Sequence, residues 1–330
     1  MRSAKLLQAL VYALCGGILA ALTGVAQAQP AWPSRPVRFI VPLPPGGSND
    51  LITRVMAERL QGPLGQPVVV ENKPGASGLI ATEYVAHQPA DGYTLLLVSN
   101  THVMNVSFFK KLPYDPINDF EPISLIATVP FVMAVNSSLP VHSLKEFIQY
   151  CRDHPGQVTY GSAGVGQPHH LAAELLKSMT GIQMTHVPYK GASFIVPALL
   201  SNEITVTIGA INSLLPHIRS GKLRALAVAA NRRTALLPDV PTMEEAGPLP
   251  GFNVDIWLGV EAPAGTPRAV VDRLNSEINR IIHDPDVVKE KLTPNGIEPV
   301  GTTPEAFMQT MKDDIPRWAK IAKDAHIEPE

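Results

Sequence analysis

The chain has 330 residues, with 27 Lys and Arg against 29 Asp and Glu, a formal charge of −2, and two cysteines, Cys15 and Cys151. That balance excludes a polybasic binder of nucleic acid or anionic membrane, and so few cysteines exclude a disulfide-stapled scaffold. A chain of this length buries about 75% of its unfolded surface, enough for a core that holds the fold unaided, and suggests about two domains.

Arg2 and Lys5 precede the apolar run LLQALVYALCGGILAALTGV, and Ala26-Gln27-Ala28 follows with the small-x-small spacing of a cleavage site. The expectation is a secretory signal peptide over residues 1–28, cut after Ala28. Glycines interrupt the run, which argues against an uncleaved membrane anchor. Removing this segment takes away Arg2, Lys5 and Cys15, and leaves 302 residues with a formal charge of −4. Cys151 then has no internal disulfide partner. A soluble, exported protein is expected.

Val37–Val41 reads as a strand, and Ile52, Val55, Met56 and Leu60 recur at helical spacing after it. PVVVEN is a second strand whose three valines suit burial on both faces. A helix over Leu79–His87 and a doubly buried strand over Thr94–Ser99 complete a β-α-β-α-β run, the signature of a parallel sheet covered by helices. A proline-spotted crossing, KKLPYDPINDFEPI, leads to a second series. This comprises the strand FVMAVN, a capping box at Ser143-Leu144-Lys145-Glu146, the strand VTYGS and a helix ending at Gly181. MTHVPY leads into the loop KGAS and a short helix. EITVTIGA and LRALAVA are strands flanking a helix over Leu214–Arg219, and FNVDIWLGVEAP is extended. Pro267–His283, Pro285–Leu292 and a segment from Pro304 to about His326 read as helices, each opening with a proline.

Three loops, GGSND, GSAGVGQPHH and YKGAS, each follow a strand and open a helix. Open α/β sheets bind ligands beyond the carboxyl ends of their strands. A helix start offers free N–H groups and a partial positive charge, so it attracts carboxylate or phosphate without an arginine. One such loop is explained by capping; three of similar composition point to an anion site. The alternatives lack parts. PPGGSND has no P-loop lysine, Gly164-Val165-Gly166 lacks the third glycine of a dinucleotide fingerprint, and Gly161-Ser162-Ala163-Gly164 is one residue short of a nucleophile elbow. Adjacent His169 and His170 do not share a helix face, so no metal site is expected, and no cofactor is implied. Asp50 is an acid inside a would-be anion seat. It serves either the dipole of its own helix or a ligand amine.

These residues resemble the tripartite tricarboxylate transporter substrate-binding family, the TctC or Bug proteins. The match runs through PSRPVRFIVPLPPGGSND, VVVENKPGASG, PADGYTLLL, LPYDPINDFEPI, YGSAGVGQPHHLAAELL, HVPYKGAS, GKLRALAVAANRRTALLPDVPTMEEAG, APAGTP and RWAKIAKDA. The resemblance implies an α/β, two-domain, flytrap-like periplasmic binding protein of type II, each domain a mostly parallel sheet flanked by helices. Domain 1 would comprise residues 29–130 and 253–330, domain 2 residues 131–252, with the ligand cleft between them. Carried over, the ligand-binding residues are Gly46, Gly47, Ser48, Asp50, Ser99, Asn100 and Thr101 from the first domain. Ser162, Ala163, Gly164, Gln167, Tyr189, Lys190, Gly191 and Ala192 come from the second.

The implied function is capture of a small organic carboxylate and its delivery to integral membrane transporter subunits, by a monomer that is not an enzyme. An exported hydrolase of small esters or amides is the alternative from another class, and it requires a Ser–His pair in the cleft. A receptor for a membrane sensor kinase is a third. Two departures from the family stand out. Gln167 replaces a small hydroxyl residue, and Asn202-Glu203-Ile204-Thr205 replaces Gly-x-Val/Ile-Asp.

Overall fold

The computed structural model describes residues 32–324. The expected signal peptide and its cleavage site lie outside the described residues. From Arg35 onward the chain forms one compact unit. It opens with β1 (Val37–Val41), α1 (Ser48–Leu64), β2 (Val68–Asn72), α2 (Leu79–Ala86), β3 (Thr94–Ser99), α3 (Thr101–Phe108) and β4 (Phe120–Val129). After Pro130 come β5 (Phe131–Asn136), α4 (Leu144–Asp153), β6 (Thr159–Ser162), α5 (Pro168–Thr180), β7 (Thr185–Pro188), α6 (Ile195–Leu200), β8 (Val206–Ala210), α7 (Ile211–Arg219) and β9 (Leu223–Val228). The chain closes with α8 (Met243–Ala246), β10 (Ile256–Pro263), α9 (Arg268–Ile282), α10 (Pro285–Val287), β11 (Glu298–Pro299) and α11 (Pro304–Asp324).

Two sheets result, ordered β11-β4-β10-β3-β1-β2 and β7-β6-β8-β5-β9. The α/β class and its two sheets are as expected, but the sheets are mixed rather than mostly parallel. β1, β2 and β3 pair in parallel, as do β6, β7 and β8, because a helix carries the chain back between each pair. β4 has no such helix after it: Pro130 alone separates it from β5, so the chain passes straight from one sheet into the other. It returns at β10 running the opposite way, antiparallel to both β3 and β4. β5 is likewise antiparallel to β8 and β9.

Two further expectations are corrected by position. β2 is an edge strand with Val69 46% exposed, so its three valines mark β-propensity and not burial on both faces. β4 begins inside what read as a crossing and runs beyond it. Its Pro122 sits opposite Glu261 at a register shift, where a missing ladder N–H is tolerated.

β3 is buried at all six positions and forms the floor of the first sheet. Helix α11 packs Phe307 and Trp318, both fully buried, against this side of the molecule. Trp257 of β10 meets the Phe307 ring edge-on at 5.4 Å and donates its indole N–H to Asp314 at 2.6 Å. The C-terminal helix is thereby fixed to the first sheet.

Candidate functional site

The strand carboxyl ends of both sheets point at each other, and four contacts show it. Asn212, opening α7 after β8, donates from Nδ2 to Ser48 Oγ at 2.7 Å. Gln167, before α5, donates from Nε2 to Ser77 Oγ at 3.2 Å. A Cβ on Gly166 would approach the Phe108 ring of α3 to 3.3 Å, and one on Gly296, before β11, would reach Ile211 at 2.5 Å. Loops that follow β1 and β2, together with the end of α3, thus face loops that follow β6 and β8.

On the first side, Gly46 takes a left-handed φ of 96°, and Gly47 is the N-cap of α1 with no side-chain cap. Both are exposed, and a Cβ on either meets nothing within 4 Å. Asp50 is buried and engaged on both oxygens. Oδ2 accepts from the Gly46 N–H at 3.1 Å and from Arg54 Nε at 3.0 Å, and Oδ1 accepts from Asn72 Nδ2 at 3.0 Å. Asn72 Nδ2 also donates to the Leu43 carbonyl at 3.0 Å. Burial alone would raise the Asp50 pKa; the bonds from Arg54, Asn72 and Gly46 outweigh it and hold the carboxyl below its ordinary value. Asp50 is a strut that shapes the PPGGSND turn from behind.

Beside this loop, Ser99 Oγ and Thr101 Oγ1 lie 2.8 Å apart, and fully buried Asn100 donates to the Asp255 carbonyl at 3.1 Å. Asn100 is also the uncapped N-cap of α3. Thr101 opens a helix that the sequence pattern did not show.

On the second side, Ser162 ends β6, and its hydroxyl folds back on its own loop. It accepts the Gly164 N–H at 3.2 Å, lies 3.0 Å from the Gly164 carbonyl and 2.6 Å from His186 Nε2. Ala163 and Gly164 are part-buried, Gly164 with φ 133°, and Gln167 is the N-cap of α5, again without a side-chain cap. The Tyr189 N–H donates to the Ser162 carbonyl at 2.9 Å, which sets YKGAS beside this loop. Lys190 and Ala192 are exposed, and Gly191 is part-buried. Ala192 begins a single 3-10 turn, Ala192–Phe194, ahead of six-residue α6. This third loop therefore lacks the long helix dipole that the sequence pattern suggested.

The Ser–His pair required by a hydrolase exists in Ser162 and His186, but Ser162 is fully buried and tied to its own loop. It has no open face for a substrate carbonyl. Among the described residues no group of three or more His, Cys, Asp or Glu is placed to hold a metal ion.

Ser77 and Asn212 escaped the sequence reading. Ser77 lies in PGASG, where Gly75, Ala76, Ser77 and Gly78 take φ values of 140°, 45°, 53° and 91°. Non-glycine residues rarely adopt this conformation, and it recurs at functional turns. The signal available was the loop motif itself, PGASG, which stands just before the expected helix Leu79–His87 and within a stretch shared with the family. Of the two departures from the family, Gln167 reaches across to Ser77, and Asn202-Glu203-Ile204-Thr205 is absorbed locally. Asn202 takes φ 61°, a left-handed conformation that asparagine tolerates where glycine is usual. Thr205 Oγ1 accepts the Thr159 N–H at 3.2 Å, and Glu203 accepts the Tyr189 hydroxyl at 2.6 Å.

Residues 52–327 match the model of the tripartite tricarboxylate transporter family receptor. Protein BugT of Bordetella pertussis is 40% identical over 312 residues, covering 93% of this chain and 95% of that one. Among solved structures, R. palustris Rpa4515 with adipate superposes with a TM-score of 0.83 at 38% identity, covering 91% of this chain and all of the other. MatC of Rhodopseudomonas palustris with bound malate gives 0.78 at 34% identity, over 88% and 99% of the two chains. The match spans both sheets, and this chain belongs to the TctC/Bug family of periplasmic solute receptors, which are binding proteins and not enzymes.

Proposed function

We propose that this protein captures a small organic carboxylate between the apposed loops and delivers it to a tripartite tricarboxylate-type membrane transporter. The observation that carries the reading is the apposition itself. Three uncapped helix starts, at Gly47, Asn100 and Gln167, lie on loops that face one another across the two sheets. Relatives 38% and 34% identical to it were solved with adipate and with malate. N–H groups of Gly47 and Ser48, the hydroxyls of Ser99 and Thr101, and the backbone of Ala163, Lys190, Gly191 and Ala192 supply donors, while the N–H groups of Gly46 and Gly164 are engaged by Asp50 and Ser162. Ser162 and Asp50 hold two of these loops in shape, and Gln167 and Tyr189 border the space.

The moving bodies are residues 29–130 with 253–330, and residues 131–252, turning about Pro130 and the return segment near residue 253. A ligand that touches both bodies favours the closed arrangement by its differential contacts. The test is a thermal-shift screen over mono- and dicarboxylates, amino acids and aromatic acids, adipate and malate included. A carboxylate that binds the folded state raises the melting temperature. A shift from a neutral solute, with none from any carboxylate, overturns the reading.

A further inference from the structure

Beneath the loop Ser162–Gln167 three rings lie nearly parallel. His170 of α5 and His186 of β7 stack at 4.2 Å with 7° between planes, and Tyr160 of β6 stacks on His186 at 4.8 Å and 8°. Two hydrogen bonds tie these rings to the loop above. The Gly166 N–H donates to His170 Nδ1 at 3.2 Å, and Ser162 Oγ lies 2.6 Å from His186 Nε2. The first has only one sense. An amide can only donate, so His170 Nδ1 is bare and its proton sits on Nε2.

Below the rings, Glu174 of α5 accepts from the Tyr160 hydroxyl at 2.5 Å and from Lys177 Nζ at 2.7 Å. These are the charged and titratable groups that face the stack from α5, β6 and β7. His169, next in sequence, packs on Phe131 and Gly209 instead.

We propose that the His170–His186 stack is a proton-sensitive support for the second side of the site. A proton on His170 Nδ1 abolishes its bond to Gly166, and the loop Ser162–Gln167, with its link to Ser77, is released. The consequence for ligand rests on the carboxylate-receptor reading: the bound acid is let go as pH falls.

Burial lowers the His170 pKa to about 4, helped by His186 and Lys177 and opposed by Glu174. Burial also lowers His186, again with Glu174 opposing and Lys177 assisting. Two rings at 4.2 Å do not both carry charge without strong repulsion. The sign follows from linkage. A histidine whose pKa is lower in the ordered state than in the released one binds its proton preferentially in the released state. The ordered loop is therefore favoured above the free value near 6.5 and loses stability as pH falls towards 4.

The test is hydrogen exchange over the segment 162–170 of the unliganded mature protein at pH 7 and pH 5, corrected for intrinsic exchange. His170→Asn is the partner variant, because its Oδ1 accepts from Gly166 without titrating. Opening in the wild-type protein should rise about twenty-fold between these pH values, and in the variant by less than about three-fold. Unchanged protection in the wild type, or an equal loss in the variant, overturns the proposal. Should the variant fail to fold, ring-nitrogen NMR of the wild type decides instead: His170 and the Gly166 amide must titrate together, and separate titrations overturn the proposal. With adipate as probe, affinity should fall from pH 7 to pH 5 in the wild type only. Equal or stronger binding at pH 5 overturns the link to ligand release. Adipate that binds at neither pH, while malate and other acids also fail to shift the melting temperature, overturns the carboxylate reading instead.

Discussion

A Cβ on Gly47 meets no atom within 4 Å, and its φ of −89° suits any residue. The fold makes no demand for glycine here; in the proposed site, a bare backbone lets the ligand approach closely. Gly47→Val should unfold within about 0.5 kcal/mol of the wild type, as surface substitutions do, yet lose the thermal shift given by the active carboxylate. A retained shift removes the first loop from the site. Glu261 presents the opposite case. It is wholly buried, neither carboxylate oxygen has a hydrogen-bond partner among the described residues, and His102 Nε2, 3.4 Å from Oε2, donates to the Pro116 carbonyl at 3.3 Å. Burial raises the Glu261 pKa well above the ordinary carboxylate value. A raised carboxyl pKa means that the folded state holds a proton the unfolded state gives up, so stability declines as pH climbs above about 4.3. Glu261→Gln keeps the shape without the titration. It should be the more stable protein at pH 7 by about 1–3 kcal/mol, with the gap closing near pH 4; urea melts at the two pH values measure it. A variant less stable than wild type at pH 7 would show that the charge is compensated.

Gly259 of β10 is where strand and helix meet most closely. A Cβ there would lie 2.1 Å from Phe307 Cζ, so the fully buried α11 ring occupies the space above the strand backbone. Gly259→Ala should cost about 2–4 kcal/mol by overpacking. Adding Phe307→Leu should recover part of that loss, a coupling that a double-mutant cycle reads directly; strict additivity would refute the contact. This pair also shows what pattern alone could convey. The apolar run around Gly259 identified a strand, and the spacing after Pro304 identified a helix, but neither states that one packs on the other. β3 was legible because four apolar residues, Leu95–Val98, run together at its centre, and β6 because VTYGS is bounded by turn residues on both sides. β4 was hidden because Pro113, Pro116 and Pro122 read as breakers, although the strand itself holds only Pro122, at an irregularity. The site followed the same rule. GGSND and GSAGVGQPHH announced themselves by composition, whereas Ser77 and Asn212 matter through partners 90 and 164 positions away in sequence. Distance of that kind leaves no local trace.

Those two contacts connect the scale of the whole molecule to ligand capture. Each joins a loop of the first sheet to a loop of the second, Ser48 with Asn212 and Ser77 with Gln167, so each exists only while the two sets of loops are together. Neither lies in a core, and removing one leaves both sheets intact. A hydrogen bond of this kind contributes about 0.5–1.5 kcal/mol net. If closure completes the site, Ser77→Ala and Asn212→Ala should each weaken the apparent affinity for the captured carboxylate by about 2- to 12-fold, since observed affinity scales with the population competent to bind. The change belongs mainly to faster release, because these bonds must break before the ligand leaves. Unfolding of the unliganded protein should move by less than about 1 kcal/mol, as both side chains are replaced at loop positions that water reaches on opening. Stopped-flow release rates beside equilibrium titration make the distinction. An unchanged release rate with a lower unfolding midpoint would mean that the contacts support local structure and take no part in closure. The double variant adds a sharper condition: both bonds act on one closing equilibrium, so their effects on affinity should multiply. A double variant no worse than either single variant would show that the two contacts do not act on closure separately, and that losing one already frees the other.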